Sequence, residues 1–241
     1  MRKGQTILFL HDAGANGNSF SAVMDELADS HSPISLDFPG HGRSGSLDSL
    51  SSITAFAEHA EALMLSWEVP PSVIVGEGLG AAVGMELAQR GHLEISCLIC
   101  VGAVGVNVDL ANEITELESI TAGKARRNFN TSGYAPDPDE SVLREAFAQW
   151  VKTDPRATLG ARRAQHAWNE SVDLKGLSTP TVIVVGEHAD PSSVAASDSL
   201  AQTLSNSTVE VLTGAGSHGP IEQPEAFATI ISRSAEEMAR S

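Results

Sequence analysis

Short apolar runs alternate along this chain with stretches in which apolar residues recur every three or four positions. An apolar run bounded by turn residues reads as a buried strand. The 3.6-residue recurrence reads as a helix with one face on a core. Thr6–Leu10, Pro33–Phe38, Ser72–Val75 and Cys97–Val101 predict four strands. Between them, Phe20, Val23, Met24 and Leu27 mark a helix over 18–28. Ile53, Phe56, Ala60, Leu63 and Met64 mark a second over 52–67, and a third runs over 79–90 until Gly91 stops it. From 105 to 175 the strand pattern disappears. Helices are predicted there over 111–119, 141–152 and 158–168, with a Pro136/Pro138 loop over 130–139. Strands resume at 180–185 and 208–212, with helices over 193–204 and 224–239. The βαβ order predicts an α/β fold with a mostly parallel sheet of about six strands flanked by helices. Residues 1–104 and 177–241 would form the core, and 105–176 a helical cap inserted after the fourth strand.

Charge narrows the partners. The formal net charge is -16, which argues against nucleic acid and anionic membranes, since both need a basic footprint. No apolar stretch approaches the ~20 residues that span a bilayer. Gln5–Leu10 is too short for the apolar part of a signal peptide. A cytoplasmic protein with a small-molecule substrate or ligand is the expectation. Composition says nothing of oligomeric state. Cys97 and Cys100 form a C-x-x-C, but inside a strand rather than at a helix start. Residues three apart in a strand face opposite sides, so core packing is expected rather than redox chemistry.

Candidate chemistry sits just after the strands, where open α/β sheets bind ligands. His11-Asp12-Ala13-Gly14 follows the first strand and Gly76-Glu77-Gly78-Leu79-Gly80 the third. Gly186-Glu187-His188-Ala189-Asp190 and Gly214-Ala215-Gly216-Ser217-His218 follow the last two. A serine at 78 would complete G-x-S-x-G, the strand-to-helix turn that presents a nucleophile. Glycine at 78 offers no attacking atom.

These pieces, with Leu36-Asp37-Phe38-Pro39-Gly40-His41-Gly42-Arg43-Ser44 and Glu222-Gln223-Pro224-Glu225, resemble the α/β-hydrolase superfamily from end to end of the core. The similarity is to compact, capped members. The resemblance implies roles. Gly78 would hold the nucleophile position, His218 would be the general base, and Asp190 would orient the imidazole. The backbone N–H groups of Ala13 and Leu79 would form the oxyanion hole. His11, His41, Arg43 and Ser44 would brace loops. Two departures stand out: Asp12 replaces the usual glycine of L-H-G-x-G, and Asp190 lies one residue later than in the common G-x-x-D. In the elbow geometry the Glu77 side chain is expected to point away from the position facing His218. Trp150, Trp168 and Tyr134, with Phe129 and Phe147, are candidates to line a substrate pocket or to pack the cap.

No metal-ligand spacing appears around His188 and Asp190. The G-x-G-x-G at the elbow is too short for a dinucleotide fingerprint, so no cofactor is expected. Losing the serine of a triad costs roughly 10⁶ in kcat, about 8 kcal/mol. Three functions fit. One is a hydrolase of a small ester, lactone or related carbonyl compound, inactive or slow through a water activated by His218. The second is a non-catalytic binding or regulatory protein using the pocket under the cap. The third is a cofactor-independent lyase, isomerase or oxygenase using His218 as acid and base.

Overall fold

The computed structural model describes residues 4–68, 72–102, 104–105 and 108–239; the leader reading of the first residues rests partly on positions outside them. Six strands form one all-parallel sheet: β1 (Thr6–Leu10), β2 (Ser32–Leu36), β3 (Val73–Glu77), β4 (Cys97–Val101), β5 (Thr181–Gly186) and β6 (Ser207–Leu212). Their order across the sheet is β2-β1-β3-β4-β5-β6. The reversal of order beside β1 places the ends of β1 and β3 together, the switch point at which such sheets bind ligands.

Alternation along β1 divides the core. Leu8 and Leu10 join one buried cluster with Ile53, Phe56 and Met64 of α2 (Ile53–Ser66) and Leu79, Val83 and Leu87 of α3 (Leu79–Arg90). Ile7 and Phe9 join the other, with Val23 and Leu27 of α1 (Ser21–Leu27) and Phe227 and Ile231 of α9 (Pro224–Ala239). Both faces are covered, as an all-parallel sheet requires. The two cysteines obey the same period: Cys97 belongs to the second cluster and Cys100 to the first, both as free thiols. Burial pushes the Cys97 thiol up to about 11 and the Cys100 thiol up to about 12, so neither is poised for redox exchange.

Between β4 and β5 the described residues carry α4 (Ala111–Thr121), α5 (Glu140–Trp150) and α6 (Pro155–Ser171) and no strand. The two later helices begin earlier than periodicity alone suggests, because their starts are set by caps. Asp139 accepts from the Ser141 N–H at 2.7 Å, and Asp154 accepts from the Arg156 N–H at 2.8 Å with Pro155 in the first turn. The helix predicted over 193–204 is α7 (Pro191–Thr203), again started by an aspartate, Asp190. A short α8 (Gly219–Glu222), too brief to show periodicity, follows His218. No described helix is long and apolar enough to cross a membrane.

Candidate functional site

The chain leaves β3 through Gly78 at φ 50°, ψ -108°. That conformation strains any residue with a Cβ and costs glycine little. The Gly78 N–H donates to the Val101 carbonyl at 2.9 Å, fixing the turn against β4. A Cβ at Gly80 would collide with the Leu10 carbonyl, so glycine there lets the start of α3 lie against β1. The elbow predicted from the sequence is therefore built, with no side chain at its apex.

Asp12 fills the space at that apex. Its Oδ1 accepts from the Leu79 N–H at 2.8 Å, and the nearby Ala13 N–H helps to lower its pKa. A Cβ added at Gly78 would overlap Oδ1. The Arg162 guanidinium holds the same carboxylate in a two-pronged grip, Nη1 to Oδ1 and Nη2 to Oδ2, both at 2.7 Å. Arg162 also donates from Nε to Glu113 at 2.8 Å and from Nη1 to Gln165 at 2.8 Å. Burial alone would raise the Asp12 pKa. Arg162 and the two N–H groups outweigh it and hold the group below the usual carboxylate range. Thus the Leu79 N–H expected in the oxyanion hole already meets an anion, and that anion belongs to the protein. The departure from glycine at position 12 was visible in the sequence; its consequence was not.

His218 lies at the edge of the same space, its side chain 42% exposed. Its Nδ1 is 3.6 Å from Glu77 Oε1, which corrects the expectation that Glu77 points away. The ring lies against Tyr134, with centroids 4.5 Å apart and planes tilted by 33°. Burial lowers the imidazole pKa, but Glu77, followed by Glu222 and Asp12, raises it above the usual value overall. Glu222, which the sequence offers only as part of a motif, holds the loop in place. Its carboxylate accepts the N–H groups of Gly216 and His218 at 3.0 Å and of Ala135 at 2.7 Å.

Asp190 is engaged elsewhere. Its carboxylate caps α7, accepting the Ser192 and Ser193 N–H groups at 3.0 Å, and it takes hydroxyl hydrogen bonds from Ser192, from Ser193 at 2.7 Å and from Ser217 at 2.8 Å. Burial would raise its pKa; these hydrogen bonds depress it strongly. The carboxylate paired with the imidazole is Glu77.

Two cavities, of about 590 and 790 Å³, share a wall made of Asp12, Glu77, Glu113, Asn130, Arg162 and His218. Gly78 and Asp190 line the larger. Tyr134 and Trp150 line the smaller. Trp168 does not: α6 turns Ala157, Ala161, Ala164 and Trp168 inward, and Trp168 packs in the core with Nε1 donating to Glu86 at 3.1 Å. His11 braces its loop as expected, Nε2 accepting from the Phe38 N–H at 3.0 Å and Nδ1 bonding the Asp12 carbonyl at 2.8 Å. Burial lowers its pKa to about 4. Ser44 likewise donates to the Asp37 carbonyl at 2.6 Å.

The model of the alpha/beta hydrolase family matches residues 7–230. The chain belongs to that family. A curated relative, the dihydrolipoyllysine-residue acetyltransferase component of the acetoin cleaving system of Cupriavidus necator, is 27% identical over 131 residues, 53% of this chain. The match takes in 34% of that protein, so the chain spans about a third of the relative's length. Among solved structures, MenH from S. aureus superposes with a TM-score of 0.82 at 18% identity, covering 99% of this chain and 96% of the other. An esterase from Thermogutta terrifontis gives 0.80 at 21%, covering 99% and 92%. At these identities the superpositions speak for the fold of this family member, and its chemistry has to be argued from its own residues.

Proposed function

We propose that this α/β-hydrolase family member is a small-molecule binding protein, whose pocket lies under the helical segment 105–176 acting as a cap. In this reading the ester- or lactone-hydrolysing chemistry of the scaffold is blocked from within. The observation that carries it is the Asp12 carboxylate, which takes the Leu79 N–H and the volume of a side chain at 78. Loss of a triad serine costs roughly 10⁶ in kcat, and loss of one oxyanion donor a further factor of about 10²–10³. With the Leu79 N–H satisfied by a fixed anion, a substrate carbonyl that develops negative charge there meets a carboxylate instead of a free donor. A water activated by His218 would meet the same obstacle, which weighs against slow hydrolysis by that route.

The test uses short p-nitrophenyl esters and a lactone series. The wild-type protein and Gly78→Ser should both be inert, because Asp12 blocks the serine as well. Gly78→Ser combined with Asp12→Gly should exceed Gly78→Ser alone by about a thousandfold. Wild-type turnover that disappears in His218→Ala would overturn the proposal.

One observation favours a second reading, an acid–base enzyme acting on an enolisable ligand: the Glu77–His218 pair at 3.6 Å opens on both cavities. Exchange of ligand protons with deuterated solvent, lost in His218→Ala, would identify it.

A further inference from the structure

Three cationic side chains line the smaller cavity, and they differ in what they have left to offer. Arg162 is satisfied by Asp12, Glu113 and Gln165. His218 faces Glu77. Arg127 is the exception. Its guanidinium lies 4.0 Å over the Trp150 ring, and Nη2 donates to the Trp150 carbonyl at 2.8 Å. Among the described residues it forms no ion pair, in a chain with 31 Asp and Glu against 15 Lys and Arg. The acid that acts on it at longer range, Asp154, is itself paired with Arg156 at 2.8 Å. Desolvation without a close counter-ion lowers the Arg127 pKa from its usual value.

An arginine stacked on an indole and tethered to its carbonyl has its planar fork fixed before any ligand arrives. That geometry suits two parallel hydrogen bonds to a carboxylate. Part of the wall is apolar: Phe129, with its ring centroid 5.6 Å from that of Trp150, joined by Leu117, Ile120 and Ile221, while Glu113 and Glu116 also line the cavity. At about 590 Å³ the cavity has the size of a site for a small organic molecule. The Leu79 N–H and Arg162 are already occupied, so Arg127 is the cation with donors to spare.

We infer that Arg127 is the anion seat of the pocket, and that the ligand class is a small carboxylic acid with an apolar, ring-bearing body lying along Phe129 and Trp150. The inference rests on the binding-protein reading above and names the ligand class of that pocket. It makes Arg127 a specificity-determining residue.

The probes are aryl-alkanoates of graded chain length, from phenylacetate to phenylhexanoate, each paired with its primary amide, titrated by calorimetry into the full chain. At least one carboxylate should bind about tenfold or more tightly than its amide, the effect of a charge-assisted hydrogen bond. Arg127→Gln should abolish that preference while leaving amide binding in place. Arg127→Lys, which keeps the charge and loses the fork, should retain part of it. The inference is overturned if no carboxylate in the series saturates, if none is preferred over its amide, or if Arg127→Gln keeps the preference. Chromatography of the amide samples reads the other proposal separately: release of the free acid would count against a binding protein without bearing on where the carboxylate sits.

Discussion

At residue 78 and residue 12 two changes occupy one volume. Glycine at 78 relieves the backbone strain of the elbow and leaves a hollow. Aspartate at 12 fills it and satisfies the Leu79 N–H that faces it. The placement of Asp12 depends on glycine at 78, since a side chain at 78 and the carboxylate of Asp12 exclude each other. Beside them, Glu77 gives the imidazole of His218 a partner that is nearly buried, with 12% of its side chain exposed. The folded pKa of His218 lies above its ordinary value of about 6.5. The pair therefore stabilises the fold fully below about pH 6.5, and the contribution is lost as pH rises through the folded pKa. In Glu77→Gln the NMR titration midpoint of His218 should fall. The loss of stability, measured by urea unfolding, should be larger near pH 5.5 than near pH 8.5.

Helix starts, rather than helix interiors, decide where the polar residues of this fold are spent. Asp190 begins α7, with Pro191 in the first turn, and its carboxylate meets two N–H groups and three serine hydroxyls. That is the work of an N-cap, and the Ser217 hydrogen bond extends it to the loop before His218. Asp190→Ala should lower stability by about 1–2 kcal/mol in urea unfolding and leave the His218 titration midpoint unchanged. A midpoint that fell would return Asp190 to the orienting role that the family resemblance assigns it. The Glu222 carboxylate at the end of α8 works in a similar way, tying the loop at Ala135 to the loop at His218 through backbone N–H groups.

Across the molecule, one polar cluster joins the segment between β4 and β5 to the sheet. Arg162 of α6 grips Asp12 beyond β1 and Glu113 of α4. Side-chain exposures of 13% for Arg162 and 22% for Asp12 make this a largely desolvated pair. Removing one partner leaves the other charge without compensation. Arg162→Met should cost about 3 kcal/mol, the low end for a buried pair because solvent still reaches Asp12. The double variant Arg162→Met with Asp12→Ala should cost less than the sum of the two single changes, as a double-mutant cycle would measure.

Much of this was legible in the chain itself. The βαβ order, the six strands, the helices between them, the opposite-facing cysteines and the vacant apex at Gly78 all follow from local periodicity and from single residue types, which neighbouring positions determine. Element ends were less legible where caps such as Asp139, Asp154 and Asp190 outweighed periodicity. The partners of the site were not legible. Asp12 meets Leu79 across 67 positions and Arg162 across 150, and Trp168 turned inward because α6 packs on the core. Local pattern alone established that no serine stands at the apex of the elbow. Only the tertiary structure decided what stands in its place, because a contact between distant segments depends on how helices and strand ends converge, and no local pattern records that.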